Sequence, residues 1–208
     1  GVPNAFVLVQ ATVRSLAESG FKDVRLAFTA TPANVDHLGR VYDLSRQLGV
    51  EFTCAVAQGS EHYFQVSEEG QQTPPEALRR HMEPVIRAEL ATWSPKRWGR
   101  AYFMGGLLRF ASGWGRPLPC RAGRDFFFVD PAGDVYPCNV LSRVMGNIEE
   151  QPFADLWNSE RAERTRAEVA VCGPGCWMVC TARPAMRRHK LSVLAWALRR
   201  KFLPRRPL

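Results

Sequence analysis

Five of the six cysteines fall in one stretch, as Cys120, Cys138, Cys172, Cys176 and Cys180. Thiols grouped in this way pair as disulfides, hold a zinc ion, or hold an iron–sulfur cluster. Disulfide frameworks belong to short secreted chains, which a 208-residue chain with unevenly spread cysteines does not resemble. Structural zinc sites of this kind usually carry two Cys-x2–4-Cys knuckles. Here only Cys172-x3-Cys176-x3-Cys180 is a knuckle, and Cys120 and Cys138 are split by 17 residues. An iron–sulfur cluster accommodates the split pair. It also explains the aromatic residues around it, Phe126, Phe127, Phe128, Tyr136 and Trp177, because apolar walls exclude water and tune a cluster's potential. A zinc-stabilised binding module with a basic tail is the competing reading.

These thiols need a scaffold. Apolar, β-prone residues flank Asp130-Pro131-Ala132-Gly133-Asp134, which predicts a hairpin over 125–138. Cys120 precedes one strand and Cys138 ends the other, so two thiols meet at one end of it. The second group follows from a Gly-Pro-Gly turn, with Cys176 and Cys180 expected one helical turn apart.

The same residues carry a resemblance. Cys120-x12-Gly133-x4-Cys138 resembles the first half of the SPASM/twitch motif, the auxiliary-cluster domain at the C-terminal end of many radical SAM enzymes. The neighbouring words Asp130-Pro-x-Gly133-x-Val135-Tyr136-Pro137-Cys138, Met145-Gly-Asn-Ile148 and Leu156-Trp157-Asn-Ser159 agree with it. The match runs from about Pro119 to Met186. A full SPASM domain uses seven cysteines for two clusters. Five are present here, which looks like a twitch-type domain with one auxiliary 4Fe–4S cluster. The resemblance implies ligands drawn from Cys120, Cys138, Cys172, Cys176 and Cys180, and leaves open which of the last three is spare.

Upstream, the pattern is helix, strand, helix, strand. Phe6, Val9, Val13, Leu16 and Ala17 recur at helical spacing before Gly20. Residues 24–29 read as a strand, Pro32-Ala-Asn34 opens a second helix, and residues 50–57 read as a second strand. Short links between such elements argue for parallel βα units, which bind ligands beyond the C-terminal ends of their strands. Those ends carry Thr29, Asn34 and Gln58; capping and turn chemistry is their ordinary use. Cys54, inside an apolar strand, reads as a buried small hydrophobe. A helix over 76–91, interrupted at Pro84, and another over 101–111, weakened by Gly105-Gly106, bridge to the cysteine-rich part.

This half is similar to the last strands and helices of the radical SAM partial (β/α) barrel. The fold class expected is therefore α/β: residues 1–70 as the C-terminal part of the barrel, 71–114 as bridging helices, 115–186 as the SPASM/twitch domain, a β-hairpin plus helices, and 187–208 as a basic amphipathic tail. The family's Cys-x3-Cys-x2-Cys loop, which holds the catalytic cluster, is absent from these residues. The resemblance then implies the C-terminal portion of a longer enzyme, or a degenerate relative. Its parent uses S-adenosyl-L-methionine, which Thr29, Asn34 and Gln58 would help to bind, and takes electrons from a donor such as ferredoxin or flavodoxin. Its auxiliary cluster serves electron transfer or the modification of a peptide or small metabolite, and its further partner is the N-terminal barrel half. The 208 residues alone are expected not to cleave the cofactor.

The net charge is +8, but it is a property of the tail. From Val169 onward there is no Asp or Glu and there are nine Arg or Lys; the preceding residues hold 19 basic and 20 acidic side chains. Leu191, Leu194, Leu198 and Phe202 form one stripe of a helix there. The stripe docks on the cluster domain, or meets an anionic membrane surface or an acidic partner. Basic residues without a binding fold are weak grounds for nucleic acid. Reduced cysteines and the lack of a secretory signal or a bilayer-length apolar run point to a cytoplasmic chain, peripheral to the membrane if the tail binds it.

Overall fold

Two stretches of equal length, Arg25–Ala30 (β1) and Glu51–Val56 (β2), pair in parallel with Phe28 opposite Cys54. The computed structural model describes residues 3–57, 72–173 and 176–203. A helix α1 (Ala5–Glu18) precedes β1. A 3-10 turn (Val35–His37) and helix α2 (Leu38–Gln47) make the crossover to β2. Residues then alternate across the sheet. Phe28, Ala30, Phe52 and Cys54 are buried against helices, whereas Ala27 and Thr29 on the other face of β1 are exposed.

Helices α2 and α4 (Pro95–Ala111) pack on the sheet, and α3 (Pro75–Ala91) packs in turn on α2 and α4. Pro84 does not interrupt α3. Its ring lies on the exposed side, where water can take the carbonyl that the missing N–H leaves free. Helix α4 begins six residues before the expected start, because Ser94 caps it, accepting from the N–H of Arg97, and Pro95 fits the first turn. A buried charge network joins these layers. Glu89, 1% exposed, accepts from the Tyr42 hydroxyl at 2.8 Å, Arg97 Nε at 3.0 Å and Arg100 Nε at 2.7 Å, and Arg100 also pairs with Glu51.

The C-terminal part contains β3 (Phe128–Val129), β4 (Asp134–Tyr136) and β5 (Gly146–Asn147) in one antiparallel sheet. Helices α5 (Phe153–Trp157) and α6 (Glu160–Ala170) follow, then α7 (Val179–Arg188) and α8 (Lys190–Phe202). The chain is thus mixed α/β. Its main core runs from Phe28 and Phe52 through α3 and α4 to Trp177, Ala182, Ala185 and Ala197. A small second core of Val135, Met145, Leu156 and Ala162 holds the hairpin against α5 and α6. Among the described residues, no helix is long and apolar enough to cross a membrane.

The tail differs from expectation. Helix α8 packs on α4 and α3 rather than on the hairpin, and it does so with Trp196 and Ala197, not with the leucine stripe. Trp196 enters because Gly105 of α4 leaves it room. Lys201 serves a neighbouring helix: its Nζ donates to the carbonyls of Leu90, Ala91 and Thr92 at the C-terminal end of α3.

Candidate metal centre

The hairpin turn is made by side chains. Asp130 Oδ1 accepts from the N–H groups of Ala132 and Asp134 at 2.9 and 3.0 Å. Gly133 takes φ +82°, the left-handed region that other residues avoid, and a Cβ there would come within 2.9 Å of Asn147 Oδ1. Asn147 Nδ2 donates to the Ala132 carbonyl and to Asp134 Oδ1, which ties β5 to the turn. The words around Gly133 and Asn147 therefore set backbone geometry, and Met145 and Leu156 fill the small core beneath it.

Before the hairpin, the chain turns tightly after Cys120. The Gly123 N–H donates to the carbonyls of Phe126 and Pro137, so the residue before Cys138 is held against the turn after Cys120. Buried Arg166 of α6 secures that turn: Nε donates to the Gly123 carbonyl and Nη2 to the Trp157 carbonyl, both at 2.7 Å, and the guanidinium lies 4.5 Å from the Trp157 ring centre. Sequence reasoning missed Arg166, whose only advance signal is its place on the apolar side of α6.

Cys120, Cys138, Cys172 and Cys176 line one small cavity, with Ala122, Val140, Leu141 and Val169 as apolar walls. Cys180 is exposed, beside Asn139. Cys176 lies in the extended stretch before α7 and Cys180 within its first turn, so the two are not successive positions of one helix as expected. None of the cysteines is in a disulfide. The Ala122 N–H points at Cys120 Sγ at 3.4 Å and the Leu141 N–H at Cys138 Sγ at 3.3 Å. Backbone donors of this kind stabilise thiolate ligands of iron–sulfur clusters.

Burial, together with the other four thiols nearby, pushes the Cys176 thiol up to about 12. Burial also raises Cys138, against the N–H groups of Leu141 and Val140. Without a cation between them these sulfurs hold their protons; a positively charged centre is what makes them thiolates. Among the described residues, no three His, Cys, Asp or Glu side chains form a set that could hold a single metal ion. An iron–sulfur cluster spreads its thiolates over separate irons, so cysteines ranged around an apolar cavity suit it.

Trp177, next to Cys176, is buried in the main core, where its indole N–H donates to the Phe103 carbonyl. It was read from the sequence as part of the cluster's shell; its ring instead packs on Phe103 and Tyr102. Of the residues expected near S-adenosyl-L-methionine, Thr29 is exposed at the end of β1. Asn34 uses both ends of its amide on that loop, accepting from the Thr31 N–H and donating to the Thr29 carbonyl. Gln58 lies outside the described residues.

A family profile of the SPASM iron–sulfur cluster-binding domain matches residues 120–181. Over 187 residues the chain is 24% identical to an AdoMet-dependent heme synthase of Methanosarcina barkeri, covering 79% of this chain and 50% of that protein. Over 59 residues it is 36% identical to an AdoMet-dependent heme synthase of Nitratidesulfovibrio vulgaris, covering 26% of this chain and 16% of that protein. The chain thus spans about half the length, or less, of these curated relatives. No solved structure gives a significant match.

Proposed function

Residues 120–181 are a SPASM iron–sulfur domain in a chain related to radical SAM enzymes, and from this we infer that the chain is the C-terminal portion of such an enzyme and holds one auxiliary 4Fe–4S cluster. Cys120, Cys138, Cys172 and Cys176 are the ligands, and Cys180 is the spare. The observation that carries this reading is the single cavity those four thiols share. With a cysteine on each iron the cluster would supply one-electron transfer, and a substrate atom could reach an iron only where one of these thiolates leaves. The protein's part is to exclude water with Ala122, Val140, Leu141 and Val169, and to aim the Ala122 and Leu141 N–H groups at two of the sulfurs.

Residues 1–70 supply part of a partial barrel in this reading. Support comes from surface left without a partner. Ala27 and Thr29 are exposed on one face of β1, and β1 pairs only with β2 among the described residues. Phe6, Val7, Leu8 and Val9 of α1 are also exposed. An N-terminal barrel half would cover these and carry the cysteine loop of the catalytic cluster. S-adenosyl-L-methionine would then lie beyond the ends of β1 and β2, near Thr29, Asn34 and Gln58. An electron donor such as ferredoxin or flavodoxin completes the system. A small metabolite is preferred to a peptide as the substrate, because both relatives are named for the synthesis of one.

The test is anaerobic reconstitution of the 208-residue chain. We expect about four irons and four sulfides per chain, and no turnover of S-adenosyl-L-methionine to 5′-deoxyadenosine by the chain alone. Stoichiometric zinc in a colourless protein would establish the zinc-stabilised module instead.

A further inference from the structure

Helix α8 is apolar on two opposite sides. Its inner side is settled: Trp196 meets the Tyr102 ring edge-on at 5.2 Å, Ala197 is buried, Arg200 pairs with Glu83 at 2.7 Å, and Lys201 caps α3. These contacts prevent the helix from rotating. The outer side therefore presents Leu191, Leu194, Leu198 and Phe202, spaced three, four and four residues apart, and Leu191 is 82% exposed and Phe202 61%.

We propose that this outer face of α8 is a peripheral docking surface for an anionic lipid bilayer. Charge selects the occupant. Lys190 and Arg199 flank the stripe, and Arg187 extends the cationic border along α7; all three are exposed and none is in a salt bridge among the described residues. No acidic residue occurs from Val169 to the C-terminus, where Arg205 and Arg206 add two more cations in sequence. Exposed leucines bordered by cations suit a helix lying in the headgroup layer, with its apolar face buried and its basic residues on lipid phosphates. At 13 residues α8 is about 20 Å long, enough to lie along a surface and too short to span it. A barrel half offers a poorer cover. It would extend the parallel sheet of β1 and β2, whereas α8 packs on α3 and α4. The stripe is a property of α8 and holds whichever cysteines ligate the cluster.

The experiment is co-sedimentation of the 208-residue chain with phosphatidylcholine vesicles, with and without phosphatidylglycerol, at low and high salt. Binding is expected only with the anionic lipid, and salt should weaken it steeply. L194E/L198E should abolish it. K190Q/R199Q leaves the leucines in place and should weaken it roughly fivefold per charge removed. Far-UV circular dichroism of each variant checks the fold. No binding to either vesicle, or undiminished binding by the folded K190Q/R199Q variant, overturns the proposal. So does light scattering that shows a dimer which L194E/L198E converts to monomer without any vesicle binding, because the stripe would then be covered by a second copy.

Discussion

The indole N–H of Trp177 donates to the carbonyl of Phe103 across 2.9 Å, and the ring reaches it over the bare backbone of Gly106. A Cβ on Gly106 would lie 2.2 Å from Trp177 Nε1. The side chain beside Cys176 is thus keyed into α4, and the cysteine cavity inherits its position from the main core. Gly106→Ala should push Trp177 out. We expect a loss of about 2–3 kcal/mol, typical of overpacking, read by chemical denaturation. The reconstituted variant should also lose iron faster to a chelator, because Cys176 follows its neighbour.

The cysteines are expected to separate into two classes. Cys120→Ala, Cys138→Ala, Cys172→Ala and Cys176→Ala should each reconstitute with little or no stable cluster, whereas Cys180→Ala should retain the iron content and the visible absorption of the parent. Iron analysis and electron paramagnetic resonance after dithionite reduction measure this. The opposite result for Cys172 and Cys180 would move the fourth ligand to α7.

Glu89 neutralises Arg97 and Arg100 inside the molecule. Removing it leaves the largely buried Arg97 without a carboxylate and Arg100 with Glu51 alone. Glu89→Ala should therefore cost about 3–5 kcal/mol, with unfolding at a clearly lower denaturant concentration. Tyr42→Phe, which deletes the bond the hydroxyl donates to Glu89 and the one it accepts from Arg97, should cost about 2 kcal/mol. Equal losses in the two variants would show that the network does not act through charge.

Burial pushes the Cys54 thiol up to about 12. At pH 8 it should resist alkylation by iodoacetamide in the folded chain and react once unfolded, which peptide mass spectrometry can follow. The sign of its linkage to stability is fixed. Below about pH 8.5 both the folded and unfolded thiols are protonated and Cys54 contributes no pH dependence. Between about 8.5 and 12 the unfolded thiol loses its proton first, so folding stability falls as pH rises. Cys54→Ala should flatten the part of that decline due to this group, measured by denaturation at pH 8 and pH 10.

Much of the metal centre could be read in the chain itself, because its signals are local. The turn at Asp130–Asp134 is written in residue types whose side chains bond their own backbone, and the distance from Cys120 to Cys138 is closed by that turn. The parallel strands Arg25–Ala30 and Glu51–Val56 announced themselves by β-prone runs between helical patterns. Even so, single-residue cues were missed. Ser94 and Pro95 mark the start of α4, and Asn147, far from the turn in sequence, is what clamps it.

Other features depend on neighbours distant in sequence, and only the tertiary structure could decide them. Leu191, Leu194 and Leu198 and the pair Trp196 and Ala197 are two apolar sides of one helix, and periodicity cannot rank them. The choice fell to Gly105, which gives the Trp196 ring space, and to Glu83, which holds Arg200. In the same way spacing alone cannot say which late cysteines face Cys120 and Cys138. That follows from Trp177, whose burial in the main core orients Cys176, and from the start of α7, which carries Cys180 to the surface. Local chemistry determined which residues were able to hold a cluster; long-range packing decided where each of them points.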